Sequence, residues 1–456
     1  MTISAVNGDY DAVVIGGGPA GSSAAIGLAR HGYRALLLER REFPRFHIGE
    51  SMLPYMSGLL RRKGFHSRLE QCGFPVKHGA EFTNEKGQKI RVDFGALAPA
   101  RQPWTFQVER SRLDQAMLQW AREMGTTVLE EANVNDVLMD NGRISALRYE
   151  RDGETFEVRA PYVIDASGRA GKLAHRFGLR KTNEHLRMVA IYRHYTGLDE
   201  SMNPGYAGDI QIGGGSEGWL WAIPIASDKI SVGAVVPREQ LRSRTADEIF
   251  SEYSARFPRV AQRLRGTRPL TELRMETDYC YYADQVTGPG WLMAGDSGCF
   301  ADPVFSAGVF LAMTTGFEAA DAIDRIRQGG TGTEEAVLDH YARFYKTGYD
   351  TYFRIIYAYY DSKFNFKDYL KRVAPGIDIE WTTRILSGDF WSMNNPIGNM
   401  LRDEPRWDTF SPFERVRVCP VYPELDTAES ARPWSESAGS APMEPTGSTE
   451  PAGTAR

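Results

Sequence analysis

The sequence predicts an α/β fold: a dinucleotide-binding, Rossmann-like domain assembled from separated segments, an inserted β-sheet domain and a helical C-terminal region. Three observations carry that prediction. An apolar strand, Asp11-Ala-Val-Val-Ile15, runs into Gly16-Gly-Gly18-Pro-Ala20-Gly21, a small-residue helix and a second strand ending at Glu39. Two later runs, Tyr162–Gly168 and Gly290–Asp296, read as buried strands that end in small-residue turns. The intervening chain is strand-like over 80–108 and 186–240, whereas aromatic residues recur at helical spacing beyond residue 331.

Each element follows from its residues. Gly16 makes the tight turn after the first strand, Gly18 lets the backbone approach a pyrophosphate, and Gly21 lets the helix pack close to the strand. The helix carries Ala24, Ala25 and Leu28 on one face and ends near His31-Gly32, its N-terminus turned to the phosphates. Glu39 then lies where an acid accepts from ribose hydroxyls. Segments 1–79, 109–185 and 276–330 compose this domain, and 80–108 with 186–275 compose the inserted sheet domain. An apolar helix spans about Gly308 to Arg327. Over 331–423, Tyr341, Tyr345, Tyr349, Tyr352, Ile356 and Tyr360 recur at spacings of three and four, a packing stripe or the roof of an aromatic ligand. Residues 424–456 are rich in Pro, Ser, Gly, Ala, Thr and Glu and bury too little surface to offset their ordering entropy, so a disordered tail is expected.

Composition narrows the classes. With 456 residues, 42% of them hydrophobic, there is ample chain for a large core, which excludes a disordered or disulfide-framework protein. The formal net charge of −5 lacks the basic bias of a nucleic-acid binder. Apolar runs such as Leu36-Leu37-Leu38 have strand length, far short of a membrane span, and the polar N-terminus shows no secretory core. Cys72, Cys280, Cys299 and Cys419 have no metal spacing and suit a reducing cytosol, so a cytoplasmic protein without a metal is expected. Arg40, Arg41, Arg45 and Arg61-Arg62-Lys63 read as a solvated face.

Three further patterns bear on chemistry. Trp219-x-Trp221 in Trp219-Leu-Trp221-Ala-Ile223-Pro224 puts both rings on one face of a strand, where core filling is the plain alternative. Lys77 stands among Phe74, Pro75, Val76, Gly79 and Ala80; it either snorkels to the surface or is desolvated, which lowers its pKa. Ser306-Ala307-Gly308 opens the apolar helix, whose free N–H groups attract anions, Ser306 being a plain cap in the structural alternative.

The glycine turn with Glu39, together with Gly295-Asp296, resembles the FAD-dependent monooxygenase superfamily. Four stretches, Phe43–Ser51, Phe74–Ala80, Trp219–Pro224 and Asp302–Gly308, resemble the flavin-dependent halogenases, a likeness covering roughly residues 9–330. It implies FAD contacts at Gly16, Gly18, Ala20, Gly21, Glu39, Gly49, Glu50, Ser51, Arg110, Asp296 and Gly308, with Asp296 on the ribityl chain. It also implies a halide against Ser306, Ala307 and Gly308, and tryptophans 219 and 221 that keep organic substrate from the flavin.

The implied reaction uses FADH2, O2 and chloride or bromide to make hypohalous acid, which Lys77 holds or converts to a haloamine for attack by an aromatic ring. A separate flavin reductase is expected, because only one dinucleotide turn is present. Tryptophan-acting members carry a glutamate where this chain has Phe305, so a phenol or pyrrole that activates its own ring is expected, free or on a carrier protein, in natural-product biosynthesis. Phe305, Tyr349 and Tyr352 are expected near that ring. An FAD-dependent aromatic hydroxylase, an isoprenoid reductase and a non-catalytic FAD scaffold share the fold; Lys77 with Trp219 and Trp221 discriminates against all three.

Overall fold

The computed structural model describes residues 3–5, 10–97, 101–184, 186–202, 208–215, 217–277, 280–329, 332–361, 376–407 and 409–425. The expected disordered tail therefore lies outside the described residues, apart from Glu424 and Leu425.

The apolar runs of four or so residues form a six-stranded sheet. Its order is Thr287–Gly288, Trp291–Met293, Tyr162–Asp165, Ala12–Ile15, Ala35–Leu38 and Thr127–Leu129. All neighbours are parallel except the first pair, and the central strands are buried on both faces, which is why they read as unbroken apolar runs. Their carboxyl ends deliver Gly16, Glu39 and Asp165 to one edge, the edge at which such sheets bind ligands. The helix Pro19–Arg30 follows the glycine turn, and the helix Gly308–Arg327 crosses it at small residues. A methyl group on Gly27 would sit 2.6 Å from Ala320 Cβ, and one on Gly316 2.2 Å from the Ala20 carbonyl oxygen.

The second sheet has eight strands. Seven run in the order Arg268–Pro269, Met188–Thr196, Lys229–Pro237, Trp219–Ala226, Ile210–Gly214, Gly79–Thr83 and Lys89–Asp93, and Arg274–Thr277 pairs on Met188–Thr196. The period of two sorts its side chains between two cores. Leu220, Ala222, Val232 and Ala234 pack with Ile249, Phe250 and Tyr253 of the helix Ala246–Arg256. Trp219, Trp221 and Ile223 face the dinucleotide sheet. Trp221 lies across Gly233 of the neighbouring strand, where a methyl group would come within 2.2 Å of its ring.

A four-stranded sheet, Ile3–Ala5, Glu154–Arg159, Arg143–Arg151 and Asn133–Asp140, was not anticipated. Its strands are interrupted by charged residues on the exposed face, so they lack the apolar signature of the others. The tyrosine stripe does form one helix, Glu334–Asp361. Its hydroxyls donate to backbone carbonyls of the 293–302 segment: Tyr341 to Met293 at 2.7 Å, Tyr345 to Gly295 at 2.6 Å, and Tyr352 to Asp302. The helices Ile379–Ser387 and Pro396–Asp403 pack beyond it. Among the described residues no helix is long and apolar enough to cross a membrane.

Because Gly233 alone admits the Trp221 ring, Gly233→Ala is expected to destabilise the protein by about 1–3 kcal/mol through overpacking. A lowered unfolding midpoint, with altered tryptophan fluorescence of the folded state, is the measurement that checks it.

Candidate active site

A cavity of about 780 Å³ runs along the carboxyl edge of the six-stranded sheet and under the inner face of the eight-stranded one. Gly16, Gly18, Ala20 and Glu39 line one end; Gly49, Glu50, Ser51 and Arg110 line a side; Asp296, Ser306 and Gly308 line the floor, with Trp219 and Trp221 opposite. Gly21 does not reach it. A methyl group there would lie 1.8 Å from the Gly16 oxygen, so this glycine acts through helix packing.

At the glycine turn, Glu39 accepts from the backbone N–H of Gly17 at 2.7 Å and of Arg41 at 3.0 Å. The helix begins at Pro19 with no side-chain cap, so its first N–H groups remain available for a pyrophosphate. A methyl group on Gly18 would meet only Arg45, at 3.5 Å. Arg45 thereby corrects the solvated-face reading. It lines the cavity with Arg40 and Arg41, its guanidinium lies 4.4 Å from the Phe43 ring centroid, and its Nη1 donates to Asp114 at 3.2 Å. The interleaved phenylalanines of Phe43-Pro-Arg45-Phe46 were the available signal. Arg61 and Arg62 are exposed, as expected. Arg169, also on the cavity, was not singled out in the sequence.

The loop 43–51 straps the cavity. Arg110 grips Asp114 through two hydrogen bonds, 2.7 and 2.9 Å, and donates to the carbonyls of Ile48 at 2.8 Å and Gly49 at 3.3 Å. Gly49 has φ +100°, and its absent side chain leaves room for Arg110 Nη1, 3.1 Å from where a Cβ would stand. His47, another cavity residue, donates from Nδ1 to Ile48 O at 2.7 Å; burial, reinforced by Arg110, pushes its pKa down to about 3, so the ring is neutral. Glu50 is buried with Oε1 2.8 Å from His194 Nε2. Burial works against the His194 cation, and the Glu50 carboxylate outweighs it, raising the pKa.

Asp296 faces the cavity from the turn Gly295–Ser297, and its buried Oδ1 has no hydrogen-bond partner among the described residues. Burial raises its pKa to about 7. An orphaned carboxylate oxygen in a cavity is an acceptor waiting for a donor, and the hydroxyls of a ribityl chain are suitable donors. Together with the open glycine turn, this donor set fits FAD.

The Trp219 and Trp221 rings, both buried, stand 5.7 Å apart between centroids. Trp221 Nε1 donates to Ser231 Oγ at 3.2 Å; Trp219 Nε1 donates to Tyr360 at 3.1 Å, and Tyr360 donates to Asp302 at 2.8 Å. Both indoles are therefore fixed as a wall, and Tyr360, read in the sequence as stripe packing, is the anchor of one of them.

Lys77 is 1% exposed, which settles the snorkelling alternative. It lines a second, small cavity of about 20 Å³ with Leu53, Ala80, Phe82, Phe94 and Phe305. Its Nζ donates to Ser51 Oγ at 2.9 Å and Met52 O at 2.8 Å. Burial lowers its pKa to about 7. Ile210 and Ser306 border both cavities, so only a thin wall separates Lys77 from the large one.

Ser306 is not a helix cap: it has φ +62° at the end of the turn Pro303–Phe305, and the helix is capped by Ala307 without a side-chain bond. Ser306 and Gly308 reach the large cavity, while Ala307 is fully buried. Phe305 joins Lys77, in edge contact with Tyr359 at 5.3 Å, but Tyr349 and Tyr352 lie on the large cavity. The structure thus separates the three aromatic residues expected around one ring.

The buried amine has a thermodynamic consequence. Its folded-state pKa, about 7, lies below the 10.5 of an unperturbed lysine, so between these values the unfolded chain holds a proton that the native one lacks. Stability at this site rises with pH across that window. Lys77→Met is expected to raise the unfolding free energy most at pH 6, by on the order of 2–4 kcal/mol, with the gap to wild type closing by pH 10. Denaturation of both proteins across the range checks this.

Residues 9–344 match the family of FAD-binding domains. A tryptophan 2-halogenase of Chondromyces crocatus is 32% identical over 359 residues, 76% of this chain and 67% of the relative. A 1H-pyrrole-2-carbonyl peptidyl-carrier-protein brominase of Pseudoalteromonas luteoviolacea is 32% identical over 325 residues, 70% of this chain and 78% of the relative. The solved flavin-dependent brominase Bmp2 superposes with a TM-score of 0.78 at 26% identity, covering 87% of this chain and 98% of its own. With the FAD cradle, the paired tryptophans and the buried lysine in one frame, the chain belongs to the flavin-dependent halogenases, oxidoreductases that use FAD and a halide ion.

Proposed function

We propose that Lys77 directs hypohalous acid onto an electron-rich phenolic or pyrrolic ring. The observation that carries this is the placement of its Nζ: buried in a small cavity that shares Ile210 and Ser306 with the cofactor cavity. Bound as the reduced form, FAD supplies the electrons that, with O2, turn halide into hypohalous acid. The chain does the rest. Trp219 and Trp221 wall off the cofactor cavity, and Ser306 with Gly308 offers the halide a site at the helix start. Ser51 and Met52 occupy two hydrogens of the Lys77 nitrogen, which leaves a lone pair or a third N–H, depending on protonation, for hypohalous acid.

The small cavity holds about one water-sized molecule, so ring binding requires Phe94, Phe305 and Leu386 to separate. Similarity does not choose the ring, since relatives named for tryptophan and for a carrier-bound pyrrole match equally well. Phe305 chooses it: with no carboxylate at that position to stabilise a cationic ring, a hydroxyl or ring nitrogen of the substrate must do so. A carrier-tethered substrate suits the same reading, as does a role in natural-product biosynthesis. Among the described residues no cysteine is in a disulfide, which supports a cytoplasmic setting.

With reduced FAD, O2 and bromide, wild type is expected to brominate phenols, seen as the bromine isotope pair by mass spectrometry. Lys77→Ala is expected to keep FAD binding and flavin oxidation while losing product at least ~10²-fold. Undiminished product from the variant, or bromination of free tryptophan with phenols untouched, overturns the reading.

The one dinucleotide turn supports dependence on a separate flavin reductase. NADH and NADPH are expected to leave the bound flavin oxidised over the time of a turnover, as read by anaerobic stopped-flow absorbance. Rapid bleaching by either supports a hydroxylase instead.

A further inference from the structure

We propose that Asp209 is a positioning residue for Lys77, clamping the backbone beyond the lysine and supplying the buried negative charge that sets how far its amine is protonated. The inference rests on the reading of Lys77 as the halogenating amine. Asp209 precedes the strand Ile210–Gly214 and is 1% exposed. Its Oδ1 accepts from the two N–H groups that follow Lys77, those of His78 at 2.9 Å and Gly79 at 2.7 Å. The preceding residue presses on the other side: a methyl group on Gly208 would lie 1.9 Å from Val76 O, and Gln107 Nε2 donates to Gly208 O at 2.9 Å. The short strand Val76–Lys77 is therefore held from both flanks by residues 208 and 209. This fixes the direction in which the lysine leaves the backbone.

The same carboxylate acts on the amine through charge. Lys77 lies in an apolar lining, where burial favours the neutral amine, and Asp209 opposes that preference. The other charged groups on the surrounding elements are engaged elsewhere: Glu50 with His194, Glu81 with Arg259, Arg384 with Asp389. His78 is exposed. Arg91, which donates from Nε to Asp209 Oδ2 at 2.8 Å and also pairs with Asp93, partly neutralises the carboxylate. Asp209 thus supplies, from the sheet, a buried negative charge to which the Lys77 amine responds.

The test follows the Lys77 side chain directly. The full chain with FAD bound is labelled with lysine carrying ¹³C at Cε, and the Lys77 signal is assigned by its loss in Lys77→Met. Asp209→Asn keeps an oxygen for the two N–H groups but removes the charge, so the Lys77 titration midpoint is expected to fall by about half a pH unit or more. Arg91→Gln unmasks the carboxylate, so the midpoint is expected to rise. Opposite movements establish the electrostatic role; a packing role predicts neither. Midpoints that do not move, or that move the same way, overturn the proposal. If Asp209→Asn does not fold, the direction of the Arg91→Gln shift decides. Bromination by Lys77→Met would sink the halogenating-amine reading while leaving the titration result standing, so the two failures are distinguishable.

Discussion

One guanidinium organises both cavities. Arg110 is locked to Asp114 of its own helix by two hydrogen bonds and spends its remaining donors on the carbonyls of Ile48 and Gly49. The strap so fixed presents Gly49, Glu50 and Ser51 to the cofactor cavity, and one residue later it presents Ser51 Oγ and Met52 O to Lys77. A loop gripped at its midpoint thereby ties the position of the amine to that of the cofactor wall. A buried arginine of this kind is tolerated because its fork finds a carboxylate and two carbonyls; left unpaired at that depth it would be costly.

Alternation on the large sheet does comparable work for the tryptophan wall. Trp219, Trp221 and Ile223 point inward only because Leu220 and Ala222 are claimed by the helix Ala246–Arg256 on the other face. A slip of one residue would exchange the two sets and bury the indoles in the wrong core. Both faces being apolar, the strand reads as a continuous run, and it is the pairing of Trp221 with Gly233 and Ser231 that pins its register.

Legibility followed the physics of each signal. The glycine turn, Glu39, the strand at Tyr162 and the helix Gly308–Arg327 were readable because local residues dictate them, and burial on both faces leaves an apolar mark. The four-stranded sheet left none, its strands being half solvated. Arg45 could not be told from its solvated neighbours by charge alone; the flanking phenylalanines were the local hint, and Asp114, brought to it by folding, completes the enclosure. The tyrosine stripe was legible as a helix but not as a set of rungs onto the 293–302 carbonyls, because those acceptors are distant in sequence. Asp209 gave no local signal at all, lying 132 positions beyond Lys77 and meeting it only across a strand pairing.

The arrangement separates two requirements that oppose each other. Making an electrophilic halogen species needs a polar, anion-accepting cavity, and the open glycine turn, the helix start at Ser306 and Gly308 and the basic residues of the mouth provide one. Using that species needs a dry site in which water does not compete, and the small cavity is walled by Phe82, Phe94, Phe305 and Leu53. A lysine in such a wall destabilises the fold, since its ammonium is kept from water. Its pKa is lowered to about 7, and two fixed acceptors and, in our reading, one buried carboxylate hold it there. A surface lysine would keep its ordinary pKa and hold no lone pair at neutral pH, whereas a fully unpaired one would lose its ability to donate. In our reading the Lys77 amine offers a lone pair or a third N–H, depending on its protonation, to a small polar molecule arriving across Ser306 and Ile210.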